Sequence, residues 1–533
     1  MTLSRAAIIV LAPVLDKGRE HPAGLFHRGY LVALTVVECA AMTHLTVLDG
    51  SIIGVYLLIT MIAGVAIRRY VRRVEDFIVA GREMNVYLGI ASLAATEFGI
   101  VTCMYAAQNG FDKGFAGAVP GLLTFAAMFL VGYTGFCIKP LRDSGVMTIP
   151  ELFEKKYGPR VRWAAGVVIV LGGLLNMGVF LRMGGDFLVS VAGFDPRYLE
   201  VMMTALLAGV AIYTILGGML SVLVTDFLQF IVMSAGLIIT TLLILGKVGW
   251  DGLVTAVETH HGAGGFNPFA NPTMGWSYVI FNALLNTAAV LTWQTQIARV
   301  LAAKDSATGR RVYTGTSFFF VARWLVPGIW GIAALAMLAP EQVPQDSILA
   351  MPKMLGMVLP AGLMGLLIAA MLAADMSTDS SYMLTWSSVI YNDILAPFRK
   401  TKWSEKRGLV WNRAIVAAIG VFLLVYGLWY KIEGDAWTYL GITGTIYLAS
   451  MSTLLVACCY WKRANSWGAT AAIVFGALLP VAVLVLQKVG PWTAWVKENE
   501  ASCMIAVYAT TAVAMTVGSL LKPQAQGSAG DKP

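Results

Sequence analysis

Charge is what this chain has least of: 30 acidic and 38 basic side chains serve 533 residues, 13% of the total against 58% hydrophobic. So few charges cannot cover the surface of a soluble protein of this length, and a mean hydropathy of +0.73 points the same way. No HExxH motif and no phosphate-cradling GxxxxGK[ST] loop occurs. Zinc-dependent hydrolysis and ATP drive within this chain are therefore unsupported, and no reactive pair suggests an enzyme. Of five histidines, His21, His27 and His44 precede the first good apolar span, and His260 with His261, in ETHHGAGG, read as solvent-facing loop residues. The six cysteines, Cys39, Cys103, Cys137, Cys458, Cys459 and Cys503, lie mostly in apolar runs without ligand-like spacing. They read as small buried hydrophobes.

What is present is a series of apolar runs of about 20 residues, each long enough to cross a bilayer as a helix. Their continuity, without alternation, excludes a strand-based barrel. Spans are expected near 47–67, 86–108, 115–138, 161–190, 198–217, 221–246, 275–299, 313–340, 356–396, 411–430, 435–460, 466–487 and 501–521, thirteen in all. The fold class is all-α and polytopic. The net charge of +8 does not indicate nucleic acid, because the basic residues gather in alternate connections: Arg68 to Arg82, Lys139 to Arg162, Arg299 to Arg311, Arg399 to Arg413, and Lys462 with Arg463. By the positive-inside rule these are cytoplasmic, as are the residues after about 522.

Residues 1–45 form an N-terminal extension whose apolar run, GYLVALTVVECAAM, is interrupted by Glu38. It lacks the order of a secretory signal and reads as a poor extra span, an interfacial segment, or sequence ahead of a native start at Met42. The tail 523–533 is polar, rich in Gly and Pro, and expected to be disordered and cytoplasmic.

Polar groups inside spans are costly in hydrocarbon, so each is a functional candidate. In SLAATEFGIVT (92–102), Glu97 lies mid-span beside Gly99. The segment is either unwound, with free carbonyls for a cation, or a continuous helix with Glu97 bonded to a neighbour. In GGMLSVLVTDFLQF (217–230), the glycines end one helix, and Thr225, Asp226 and Gln229 share a side of the next. Asp226 suits a hard monovalent cation or simple packing against a basic residue. In MLAADMSTDSS (371–381), the hydroxyls of Ser377, Thr378 and Ser381 are ion ligands or back-bond to the preceding turn. Arg182 and Asp186, four apart, neutralise each other, or Arg182 holds a substrate carboxylate. Trp293, Gln294 and Gln296 form a smaller polar and aromatic patch.

These pieces together resemble the sodium:solute symporter family: EDFIVAGREM (75–84), ASLAAT (91–96), YTILGGMLSVLVTDFLQF (213–230), Gln294 with RVLAAKD (299–305), and AADMSTDSSYML (373–384) with Asn392, Asp393 and Ile394, in family order over roughly 47–460. The resemblance implies a five-plus-five inverted-repeat transporter core with an interrupted first helix in each repeat. Repeat one would span 86–246 and repeat two 275–460, with an added first helix and loop at 46–85 and added C-terminal helices at 461–522. It implies sodium held by carbonyls of Ala95, Phe98 and Ala374 and hydroxyls of Ser377 and Thr378. A second sodium site or proton path would lie at Asp226 and Ser381, near Thr378. Glu97, Arg182, Trp293, Gln294, Gln296 and Asp375 are the expected substrate residues. Glu97, Asp375 and Asp379 depart from the family pattern, and so does Trp293 where relatives carry Asn before the glutamine. The added acids can balance a cationic substrate, take up protons or pair with Arg182, and favour an amine-bearing or cationic solute, whereas the Trp293 departure makes sugar specificity doubtful.

The function implied is sodium-coupled import of a small organic solute by alternating access. Proton-coupled symport of an amino acid or carboxylate, a sodium-independent facilitator and a membrane sensor are the alternatives. The implied partners are the solute, Na+ and membrane lipids, with neither nucleic acid nor an obligate protein partner, in the plasma membrane of a cell, the inner membrane of a bacterium.

Overall fold

A computed structural model describes residues 45–398, 403–430 and 434–523. The expectations for the N-terminal extension and the polar tail fall outside these residues, apart from Leu45 and Pro523. Among the described residues the chain is helical, with one isolated bridge between Met84 and Ala303. Among the described residues ten helices are long and apolar enough to cross a membrane.

That number is smaller than thirteen because some runs fuse and others split. The runs expected at 198–217 and 221–246 join as Leu199–Val248, bent at Gly218 with φ 53° and ψ −150°. A Cβ at Gly218 would lie 2.5 Å from the Phe77 ring, so both the backbone and the contact require glycine. The run expected at 86–108 is two helices, Val86–Glu97 and Ile100–Lys113, and the run at 275–299 is Gly275–Thr292 and Gln294–Ala302. Val86–Glu97, Ile100–Lys113 and Gln294–Ala302 are each too short to span alone. His260 and His261 close the helix Trp250–His261 and are not in a loop. Their loop reading is corrected, and His261 Nε2 lies 2.9 Å from the Phe111 carbonyl.

Local signals account for several starts. Asn85 accepts the Leu88 amide at 3.0 Å to begin Val86–Glu97, and Asp305 accepts the Thr308 amide at 2.7 Å to begin Ser306–Met337. At the first break, Phe98 (φ −118°, ψ 80°) and Gly99 (φ −88°, ψ 173°) leave helical geometry. At the second, Trp293 is extended. The helices that resume, at Ile100 and Gln294, have no side-chain cap. Their first-turn amides therefore face whatever the interior supplies.

Helix Leu363–Val389 and its wider-wound extension Ile390–Leu395 occupy the centre. Of the most apolar stretch there, 89% of residues are buried, against 17% in the peripheral helix that starts at Val47. Val86–Glu97, Leu199–Val248 and Gln294–Ala302 pack around it. The polar run of residues 375–381 thus sits against both broken helices.

Candidate functional site

The hydroxyl-bearing turn meets the first break directly. Thr378 Oγ1 donates to the Thr96 carbonyl at 2.9 Å and to the Ala374 carbonyl at 3.0 Å. A Cβ on Gly99 would lie 2.8 Å from Thr378 Oγ1, so this close approach depends on glycine. The Ala95–Phe98 segment and the turn from Ala374 to Thr378 therefore share one seam of carbonyl and hydroxyl oxygens, the donor set a hard monovalent cation takes. Ala95 already accepts the Phe98 amide at 3.3 Å. Ser377 turns its hydroxyl to Asp226 Oδ1 at 2.6 Å.

Asp226 and Ser381, the pair expected at a second ion position, do come together, and a guanidinium stands between them. Arg299 Nη2 is 2.9 Å from Asp226 Oδ2, 2.6 Å from Ser381 Oγ and 2.6 Å from Thr96 Oγ1. Its Nε donates to Ser92 Oγ at 3.1 Å, and Ser92 donates to Asp226 at 2.5 Å. Both members of this ion pair are 0% exposed. Arg299 thus leaves the cytoplasmic basic cluster assigned to it from sequence. It lies on the resumed helix Gln294–Ala302, which carries it back into the interior. Packing against a basic residue is the arrangement Asp226 adopts.

Between the two breaks lies a cavity of about 80 Å³, room for roughly five to eight waters. Its polar lining is Thr96, Glu97, Thr102, Thr124, Asn176, Asn286, Gln296, Arg323 and Thr378. Its walls are largely aromatic, from Tyr105, Phe180, Trp293, Phe320, Tyr382 and Trp437. Glu97 is held at the break: Thr295 Oγ1 donates to it at 2.7 Å and Gln296 Nε2 at 3.3 Å, while Arg323 Nη1 is 3.7 Å away. Arg323 in turn donates to the Tyr105 hydroxyl at 2.7 Å and to Thr102 Oγ1 at 3.2 Å. Trp293 Nε1 donates to the Tyr382 hydroxyl at 3.0 Å. Two buried polar atoms of the lining residues, Gln296 Oε1 and Arg323 Nε, have no hydrogen-bond partner.

Glu97, Trp293 and Gln296 are thus gathered in one cavity. Three other candidates lie outside it. Arg182 lines a separate cavity with Met104, Asp186 and Tyr430 and pairs with Asp186 at 3.4 Å. Gln294 is buried off the cavity, its Nε2 3.4 Å from the Thr292 carbonyl. Asp375 stands two residues from Ser377, about 200° around the helix, and faces the neighbouring helix Phe180–Ala192. A Cβ on Gly184 there would be 3.1 Å from Asp375 Oδ2. Asp375 and Asp379 are each 1% exposed, and Asp375 lies within reach of the Ile100 amide, where the broken helix resumes. Arg323, Asn176 and Asn286 went unread in the sequence. For Arg323 the signal was available: it is the lone charge between Arg311 and Met337, in the middle of an apolar run.

The profile of the Sodium:solute symporter family matches residues 77–476. The chain is similar to "Sodium/glucose cotransporter 4" of Danio rerio, 26% identical over 493 residues, covering 85% of this chain and 74% of that protein. It is also similar to the osmoregulated proline transporter OpuE of Bacillus subtilis (strain 168), 24% identical over 452 residues, covering 80% and 86% respectively. The solved substrate-bound, outward-open structure of a Na+-coupled sialic acid symporter superposes with a TM-score of 0.76 at 19% identity, over 91% of this chain and 99% of that one.

Proposed function

The chain belongs to the sodium:solute symporter family, and from that premise we propose how it holds its ion and its solute. It is a multi-pass membrane protein, a sodium-coupled secondary active transporter that carries a small organic solute by alternating access. It is not an enzyme. The relatives are named for solutes as unlike as glucose and proline, so kinship does not choose between them.

In our reading, sodium is a transported substrate held by the carbonyls of Ala95, Phe98 and Ala374 and the hydroxyls of Ser377 and Thr378. The observation that carries this is Thr378 joined to the Thr96 carbonyl across Gly99. One ion in that seam would fix the broken helix against the central one. The solute, completing the cavity beside it, favours the same arrangement, so each raises the other's affinity. A membrane potential adds about 2.3 kcal/mol per charge per 100 mV. The position between Asp226 and Ser381 already holds the Arg299 guanidinium, which supports a single coupling sodium per cycle. Glu97, on the cavity wall, favours a solute that carries an amine.

The core is read as two five-helix repeats, 86–246 and 275–460, with additional helices at 46–85 and 461–522. Breaks after Glu97 and at Trp293, in the first helix of each proposed repeat, support this. Thirteen crossings follow when each interrupted pair counts once and the bent run Leu199–Val248 counts twice. The basic connections place the C-terminal end on the cytoplasmic side of the plasma membrane, in a bacterium the inner membrane.

The test is reconstitution of the full chain into liposomes, with sodium and pH gradients imposed separately. Accumulation of labelled solute should follow the sodium gradient. Accumulation that follows only the pH gradient would sink the sodium assignment.

A further inference from the structure

We propose that the solute is a small α-zwitterion, an ammonium and a carboxylate borne on one carbon, bound between Glu97 and Arg323; this rests on the reading of the cavity between the two breaks as the solute site. Glu97 alone would favour any cation. Arg323, with Nη1 only 3.7 Å from Glu97 Oε2, brings the charge of the pair to zero. A solute with only an ammonium would satisfy Glu97 while lying against the guanidinium, and a neutral polyol would leave both charges to each other.

The pair is open in a way that calls for such a ligand. A separation of 3.7 Å is too long for a hydrogen bond. Arg323 Nε is a buried donor without a partner, and Gln296 Oε1 is a buried acceptor without one. Unsatisfied buried polar atoms cost stability unless a ligand completes them. A ligand completing these two must bring both an acceptor and a donor, as a carboxylate and an ammonium do. The guanidinium is also fixed in place, by the Tyr105 hydroxyl, by Thr102 and by the Phe320 ring, whose centroid is 5.1 Å from it.

Spacing selects the α arrangement. Within an amino acid the nitrogen and the carboxyl carbon are about 2.5 Å apart, a separation that places both groups against poles as close as Glu97 and Arg323. A solute with several carbons between its charges would have to fold back on itself. The broken helix adds to the same polarity. Glu97 is the last residue of Val86–Glu97, and Thr102 and Tyr105 lie in the first two turns of Ile100–Lys113, the positive end of that helix. A cavity of about 80 Å³ matches a solute of amino-acid size, and its aromatic walls suit an ammonium or an apolar side chain.

The experiment uses the full chain in liposomes under an inward sodium gradient. Four labelled pools are offered: the common α-amino acids, the same set as carboxamides, the same set N-acetylated, and a mixture of hexoses and polyols. Only the zwitterions should accumulate. Replacing either charge, E97Q or R323Q, should lower their uptake about tenfold or more. In R323Q the remaining preference should shift toward the carboxamides, which a merely structural arginine would not produce. R323K keeps the charge and should retain part of the uptake, so a folding defect in R323Q does not decide the matter. Sodium-driven accumulation of the hexose and polyol pool without the zwitterions overturns the assignment and leaves sodium symport standing. Zwitterion accumulation indifferent to sodium does the reverse. Accumulation of no pool overturns the assignment, as does wild-type preference for the carboxamides.

Discussion

Two buried ion pairs lie on either side of the same broken helix, and they are built for opposite purposes. Asp226 and Arg299 are both 0% exposed, and the guanidinium is engaged by Ser92, Thr96, Thr295 and Ser381 as well as by the carboxylate. Glu97 and Arg323 stand 3.7 Å apart, 3% and 13% exposed, with an unpartnered nitrogen on one and a cavity beside both. A closed, fully bonded pair fixes structure, because removing either half leaves a charge that nothing else neutralises. An open pair invites a ligand. Buried charge in this chain is therefore informative only together with how completely it is bonded.

The largest expected effect comes from breaking the closed pair. R299Q should cost about 3–5 kcal/mol by leaving Asp226 buried and uncompensated, read as a lowered thermal unfolding midpoint or loss of folded protein from the membrane. The double change D226N/R299Q removes both charges and should recover much of that loss. Were R299Q as stable as the parent, the distinction between lock and site would fail. Because the guanidinium fills the place between Asp226 and Ser381, sodium activation of uptake in the parent should be non-cooperative, with a Hill coefficient of about one.

The seam between the pairs tests the next level. G99A puts a Cβ 2.8 Å from Thr378 Oγ1, an overpacking that should cost about 1–3 kcal/mol and displace the hydroxyl. T378A removes that hydroxyl without crowding and should raise the sodium half-saturation for uptake about tenfold. If T378A kept the parent's sodium dependence while G99A lost it, the backbone break and not the hydroxyl would hold the ion.

How far the sequence foretold these regions follows from what each depends on. The membrane class and the polar run at 375–381 were legible because composition acts locally, whereas the break near Gly99 stood open against a continuous helix until the family resemblance implied it. Arg299 was misassigned because it stands beside Lys304, Arg310 and Arg311, and only the second break carries it inward while they remain at the edge. Asp375 was singled out as an added acid beside the hydroxyl pair. Helical geometry turns it away from Ser377, toward Gly184 and the Ile100 amide and off the cavity lining, a distinction of two positions that the sequence alone does not make. The Glu97–Arg323 pair joins residues 226 positions apart, and no local pattern announces such a contact.

The third ion pair completes the scale and carries the smallest prediction. Arg182 and Asp186 are 23% and 29% exposed and 3.4 Å apart, four residues apart on one helix. Water reaches both, so the Coulomb term is weak, and Arg182 is not the sole contact of Asp186. R182Q should therefore change stability by about 0–1 kcal/mol and leave the solute preference of sodium-driven uptake unaltered, since the residue lines a different cavity from Glu97 and Arg323. A tenfold loss of uptake in R182Q, with the protein folded, would mean that the solute passes through or pauses in that second cavity. The contrast would then lie between two stations on one path, with Arg182 belonging to the route and not to the framework.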